Sequence, residues 1–278
     1  MPAVLVTGAS TGIGEAAALL LAEQGHLVFA GVRKSADGER LRAAGGDLLV
    51  PVHLDVTDQT TIDAAVDTVR RRSGTTRFAG LVNNAGVARG GPLEYLEIDV
   101  WREQLEINVL GQVAVTRAFL PLLREGCGRI VFIGSIGGRV STSLMGPYGA
   151  SKFALEGIAE SLRHELHPFG IGVVLVEPGV VRSKIWDKGS ETADELEASA
   201  TPEMLERYRP HIDKMRSSIM ANNSAGVDVT VPARVIGRAL FAANPKPRYL
   251  VGPDAKAVAL MARFAPDRVK DALVRRFG

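Results

Sequence analysis

Short, nearly continuous apolar runs separated by longer segments of helical period constrain this chain more than any other feature. Ala3 to Thr7 reads AVLVT, Leu27 to Val32 LVFAGV, Leu48 to Val52 LLVPV, Ala79 to Asn83 AGLVN, Arg129 to Gly134 RIVFIG and Ile171 to Glu177 IGVVLVE. A strand with one wet face alternates apolar and polar residues; a strand covered on both faces does not. Helical patterns fill the intervals at Glu15 to Gln24, Thr57 to Arg72, Val100 to Arg124 and Tyr148 to His167, with a charged stretch running to Ala44. The alternation predicts an α/β fold, a doubly wound parallel sheet with helices on both faces. After Glu177 the rhythm lapses. Lys184 to Gly226 is charged and helix-permitting with no strand signal, which predicts a helical substrate lid near residues 184–228. Strand and helix signals return at Pro232 to Ala243 and Arg248 to Val251, and residues 253–278 read as a C-terminal extension of two short amphipathic helices.

Composition narrows the class. With 278 residues, 46% of them hydrophobic, the chain is long enough for one large core, and 1–278 is read as a single dinucleotide-binding and catalytic domain. Lys plus Arg total 33 and Asp plus Glu 31, a net charge of +2, which argues against a nucleic-acid partner. The lone Cys127 excludes internal disulfides and cysteine metal cages, and it is read as structural. No apolar run reaches the roughly 18 residues of a membrane span, and the opening MPAVLVTGAS fits no signal peptide. A cytoplasmic protein is expected, with at most weak peripheral membrane contact through the basic side of its tail.

The first apolar run leads directly into Thr7-Gly8-Ala9-Ser10-Thr11-Gly12-Ile13-Gly14, and a helix follows. Strand, glycine turn and helix N-terminus together make a pyrophosphate site, because glycines admit the anion to the backbone and free N–H groups face it. Gly8, Ser10, Thr11, Gly12, Ile13 and Gly14 are therefore candidate cofactor residues, although the GxxxGxG spacing departs from GxGxxG. At the end of the second run an acidic residue would select NAD, whereas a basic one accepts the 2′-phosphate of NADP. Arg33 occupies that place, with no carboxylate before Asp37, so NADP is favoured over NAD. Asp55 and Val56 end the third run, and Asn83, Ala85 and Gly86 end the fourth. All lie at the carboxyl edge where ligands of such sheets bind.

Tyr148 and Lys152 are four apart on a predicted helix and share one face. A neighbouring ammonium lowers a phenol from its usual pKa of about 10 and so fits it for proton exchange with an alcohol or carbonyl oxygen. Ser135, just past the fifth run, is placed to hydrogen-bond the same oxygen. Asn108, inside the long helix, can hold a water near the lysine or be a plain helix asparagine.

Taken together, TGASTGIG, NNAG, Ser135, the YGASK run from Tyr148 to Lys152 and PGVV from Pro178 resemble the short-chain dehydrogenase/reductase family over roughly residues 3–183. The resemblance implies a Rossmann-type fold. It also implies a catalytic acid–base in Tyr148, a lysine at 152 that lowers its pKa and binds the nicotinamide ribose, a substrate-positioning Ser135 and a relay residue in Asn108. Pro178, Gly179, Val181 and Ser183 would then meet the nicotinamide, Ser183 standing where the family has threonine. Thr11 stands where NADP-preferring members often carry a basic residue. GGPLEYLEIDVWREQLEINVLG, YGASKFALEGIAESLRHELHPFGI and PKPRYLVGPDAK are most similar to the hydroxysteroid and retinol dehydrogenase branch. That implies a small hydrophobic alcohol or ketone as substrate, steroid-, retinoid- or quinone-like, and a homodimer or homotetramer.

Leu144, Met145, Trp186, Met215 and Met220 are apolar enough to line a substrate pocket, or simply to pack a lid. His164 and His167 lack the HExxH spacing, so no metal is expected, and Arg70 to Arg72 suits a helix C-terminus. The rival reading is a catalytically silent, dinucleotide-sensing interaction protein of the same fold. An epimerase or dehydratase with TGxxGxxG is a third, but Gly8, Gly12 and Gly14 do not give that pattern.

Overall fold

A computed structural model describes residues 1–182, 197–198 and 200–277. Among them, nine strands alternate with helices: β1 (Ala3–Val6), β2 (Leu27–Val32), β3 (Leu49–His53), β4 (Phe78–Asn83), β5 (Arg129–Ile133), β6 (Gly172–Pro178), β7 (Val181–Arg182), β8 (Val227–Asp228) and β9 (Arg248–Val251). The helices are α1 (Gly12–Glu23), α2 (Ser35–Gly45), α3 (Gln59–Ser73), α4 (Ile98–Leu105), α5 (Gly111–Gly126), α6 (Gly146–Leu166), α7 (Pro202–Ala225), α8 (Thr230–Phe241), α9 (Pro253–Phe264) and α10 (Asp267–Phe277). The main sheet has the order β3-β2-β1-β4-β5-β6-β9, with every pair parallel. This is the doubly wound, Rossmann-type arrangement that the sequence predicts.

Successive side chains of a strand point to opposite faces, so each apolar run feeds two cores. Leu5, Phe29, Leu81, Ile130 and Phe132 pack with Val69 of α3, Phe119 of α5 and Leu155 of α6. On the other face Val4, Val6, Val28, Val131 and Val174 pack with Leu21 of α1 and with Ile236 and Leu240 of α8. Each such side chain contributes about 1.5–3 kcal/mol by burial, and this two-sided cover is why the runs do not alternate.

Three local features differ from the sequence expectation. The charged stretch before Ala44 is a full helix, α2, that buries only Gly38 and Leu41, too thin an apolar stripe to show as periodicity. The long helix is interrupted: a π-helical stretch, Glu106–Leu110, joins α4 to α5. Within the expected lid, the described part is mainly α7, and the short strand β8 falls inside the predicted bounds. β8 pairs in parallel with β7, Val181 against Val227 and Arg182 against Asp228, so the segment leaves and rejoins the body through one small ladder.

Candidate active site

Strand order reverses between β1 and β4, and the turns that follow these strands meet there. Gly8 and Gly12 have φ of +62° and +63°, conformations that favour glycine. A Cβ on Gly8 would lie 2.8 Å from the Cα of Ala85, so the two turns touch backbone to backbone. Thr7 and Asn84 lock them. The Thr7 hydroxyl accepts from the N–H groups of Asn84 and Ala85, both at 3.0 Å, while the Asn84 amide donates to the carbonyls of Thr7 and Gly8, both at 3.0 Å. Gly14 leaves room for that amide, because a Cβ there would collide with Asn84 Nδ2 and the Gly8 carbonyl. Glycine backbone followed by the N-terminus of α1 makes a cradle that a pyrophosphate fits.

Asn83 and Asn84 divide their roles by strand alternation. Asn83 is wholly buried and donates at 2.8 Å to Thr116 of α5, so its side chain serves the core and only its main chain can face a cofactor. Asn84, which the sequence reading did not single out, is the residue that braces the glycine turn. Val56 likewise turns inward, 6% exposed and against the start of α5 at Gly111.

At the adenosine end, the Arg33 side chain is 67% exposed and lies 4.0 Å from Asp55 Oδ2. Asp55 Oδ1 accepts from the Thr57 N–H at 3.0 Å and the Thr57 hydroxyl at 2.8 Å. This carboxylate therefore holds the turn after β3 and steadies Arg33. A second arginine escaped the sequence reading: Arg40 of α2 donates to Glu15 and to the Ser10 carbonyl, tying α2 to the glycine turn.

Ser135 ends the turn after β5 and caps the 3-10 stretch Ile136–Gly138, its Oγ accepting from the Gly137 N–H at 3.0 Å. Its hydroxyl lies close enough to Tyr148 to pull the phenol's pKa down. Gly137 keeps the pair close, since a Cβ there would sit 3.3 Å from the tyrosine ring and 3.4 Å from Ser135 Oγ. One turn along α6, Lys152 is 7% exposed, donates to the Ile133 carbonyl at 2.8 Å and lies 5.6 Å from the centre of the Tyr148 ring. Burial brings the lysine down to about 8. Tyr148 goes the other way from the sequence expectation: burial pushes its pKa up, with only the neighbouring Ser135 hydroxyl pulling it down. The Lys152 amine is engaged by the Ile133 carbonyl, and burial, not the ammonium, sets the direction in which the phenol shifts.

Asn108 sits in the π-helical stretch, fully buried. Its Oδ1 accepts from the Val87 N–H at 2.8 Å, while Nδ2 donates to the Val87 carbonyl at 2.9 Å and to Ser151 Oγ at 3.0 Å. Ser151 in turn donates to the Tyr148 carbonyl at 2.7 Å. The side chain is thereby committed to bracing the loop after Gly86 against α6. Single π-helical turns inside α-helices are frequent at functional sites.

The loop after β6 closes the site. Gly179 donates its N–H to the Val251 carbonyl at 2.9 Å, and the Val180 N–H donates to Asp254 Oδ2 at 2.6 Å. A Cβ on Gly179 would overlap the Asp254 carboxyl. Pro178, Gly179 and Val181 are thus held at the same sheet edge as the glycine turn. Ser183 and Trp186 lie outside the described residues, as does the Met220 side chain. Leu144 is 9% exposed with φ of +65°, pinned by its carbonyl accepting from the Gly91 N–H at 2.6 Å.

Comparison with known proteins agrees with this geometry. Residues 2–194 match the sequence model described as short chain dehydrogenase. The chain is 31% identical to the NADPH-dependent 3-dehydrocapnine reductase of Ornithobacterium rhinotracheale, covering 97% of this chain and 94% of that one. It is 36% identical to retinol dehydrogenase 5 of Mus musculus, covering 98% and 87%. A short chain dehydrogenase/reductase from Burkholderia phymatum, solved in complex with NAD, superposes with a TM-score of 0.79 at 27% identity, covering 99% of this chain and 95% of that one.

Proposed function

The chain belongs to the short-chain dehydrogenase/reductase family, grouping with its hydroxysteroid and retinol dehydrogenase branch, and we propose that it interconverts a hydrophobic alcohol and the corresponding carbonyl compound with NADP(H). The observation that carries this reading is the meeting of Ser135 and Tyr148 across Gly137 with Lys152 one turn on, set at the sheet edge beside the glycine cradle. When bound, the nicotinamide supplies or accepts the hydride at the substrate carbon. Ser135 and Tyr148 then hold the substrate oxygen from two sides, stabilising charge that develops on it. In the reducing direction the Tyr148 hydroxyl gives its proton to that oxygen, a role suited by a phenol that burial keeps protonated at neutral pH. Lys152, brought down to about 8, is still mostly cationic at pH 7, so the ammonium opposes the negative charge left on the tyrosine. Its bond to Ile133 engages one of its three protons.

Arg33 supports NADP over NAD, because its exposed planar fork has, among the described residues, only a 4.0 Å ionic neighbour in Asp55 and suits a phosphate. The NADPH-dependent relative agrees, and the NAD-bound neighbour keeps the second cofactor in the test. The relative named retinol dehydrogenase 5 supports an apolar substrate, with residues 184–228 acting as its lid. Exposed Leu110 and Val113 near and on α5, with Phe153 on α6, would be covered in a homodimer or homotetramer.

The test is NADPH oxidation followed by absorbance over ketosteroids, retinal and quinones, with Tyr148→Phe as control. Turnover that falls by about 10²–10⁴ in Tyr148→Phe, with NADPH still bound, is the expected result. Undiminished turnover in that variant refutes the mechanism. NADPH binding without turnover on any carbonyl would favour the dinucleotide-sensing alternative.

A further inference from the structure

Glu177, at the end of β6, is 0% exposed, yet none of the chemistry above uses it. Burying a carboxylate is expensive unless it is paired with good geometry, and an apolar residue of similar volume often serves stability as well. Its pairing is specific. The Arg139 guanidinium grips both carboxylate oxygens, Nε on Oε2 and Nη2 on Oε1 at 3.0 Å. Arg248 of β9 approaches Oε1 to 3.5 Å with Nε and donates through Nη2 to Glu156 Oε2 at 2.7 Å. Glu156 is on α6, one turn past Lys152.

The location of Arg139 gives the pair its meaning. It ends the short 3-10 stretch that Ser135 caps, with its own N–H donating to the Ile136 carbonyl at 3.0 Å and the Gly138 N–H donating to the Ser135 carbonyl at 2.9 Å. The same turn lies hard against the catalytic helix, since a Cβ on Gly138 would stand 2.8 Å from the Lys152 carbonyl. One buried carboxylate is therefore linked through one arginine to the Ser135 turn, and through another to the helix that carries Tyr148 and Lys152. We infer that Glu177 and Arg139 are positioning residues whose bidentate pair holds the Ser135 turn so that its Oγ stays beside Tyr148 across Gly137. The kinetic part of this claim rests on the oxidoreductase reading above; the structural part does not.

The experiment uses the full chain labelled with [13Cζ]-tyrosine. Its four tyrosines give few signals, and Tyr148→Phe assigns the one that matters. At fixed pH, Ser135→Ala sets the Tyr148 resonance position when the serine hydroxyl is absent. Arg139→Met and Glu177→Gln are expected to move the resonance toward that position, and Arg139→Lys to restore part of it. With a carbonyl substrate that is turned over, Arg139→Met is expected to lower kcat about tenfold with KM unchanged, the worth of one hydrogen bond in the transition state. It is expected to add no further loss on top of Ser135→Ala. Should Arg139→Met fail to fold, Glu177→Gln, which keeps the side-chain shape, carries the same readouts. A Tyr148 resonance that stays at its wild-type position in Arg139→Met or Glu177→Gln overturns the inference. So does an equal displacement in Val69→Ala, a core truncation in α3, since that would mark a general loosening. If the wild type turns over nothing, the oxidoreductase reading fails and the resonance alone decides the positioning claim.

Discussion

Lys152→Met should make the protein inactive and remove the rise in stability with pH that the buried lysine imposes above neutrality. Burial lowers this lysine from 10.5 to about 8. The folded chain therefore binds its proton more weakly than the unfolded chain does. Below about pH 8 both states hold the proton, and the full penalty for a buried ammonium, about 3 kcal/mol at 1.36 kcal/mol per pKa unit, weighs on the folded state. Between about 8 and 10.5 the folded state has released its proton while the unfolded one retains it, so stability rises with pH and the penalty disappears. Integrating from pH 7 to 9.5 gives a relief of about 2 kcal/mol in the wild type that methionine cannot show. Against this stands the lost bond to the Ile133 carbonyl, 2.8 Å long and charge-assisted, worth about 1.5–3 kcal/mol. The absolute difference at pH 7 is thus a small gain at most, but its pH dependence is firm. Urea unfolding followed by circular dichroism, at half-unit steps from pH 7 to 9.5, measures both chains. The wild type should gain about 2 kcal/mol relative to Lys152→Met across that range. Parallel stability curves would refute the reasoning, because they would mean that the lysine is not desolvated in the folded chain.

Other outcomes follow from single contacts. Arg33→Asp should weaken NADP(H) binding by about 10–100-fold, the worth of a charge-assisted phosphate bond, and leave NAD(H) less affected; titration of cofactor fluorescence reads both constants, and an unchanged ratio would exclude Arg33 from the selection. Gly14→Ala forces its Cβ into Asn84 and the Gly8 carbonyl, so cofactor affinity should fall steeply while the far-ultraviolet spectrum is kept. Asp254→Ala leaves the Val180 N–H without its acceptor and frees the loop after β6, which should raise the cofactor KM and lower stability by about 1–3 kcal/mol in thermal melts.

Some roles were legible only in outline. Asn83 and Asn84 are adjacent and chemically identical, and the sequence reading placed the first of them at the cofactor. Strand alternation sends Asn83 to Thr116 and Asn84 to the glycine turn, an assignment that needs the register of β4 beside β1. Asn108 was visible as an unusual helix residue, but nothing in its spacing announces a π-helical turn or the grip on Val87. For Tyr148 the spacing to Lys152 suggested a lowered phenol. A shared helix face does not fix where the ammonium points, and Nζ turns to the Ile133 carbonyl.

The sequence by itself determined the strands of the main sheet and their order along the chain, because periodicity, glycine turns and four-residue spacing act over short stretches of chain. It located the glycine cradle at Gly8 to Gly14, the Tyr148–Lys152 face and Ser135 beyond β5. Only the tertiary structure decided which polar groups meet across long intervals: Arg40 with Ser10, Asn84 with Thr7, Asp254 with Val180, and Arg139 with Glu177. Those contacts join residues 30, 77, 74 and 38 positions apart. Their strength depends on burial and on distances that exist only once the parallel sheet has brought its carboxyl edges together.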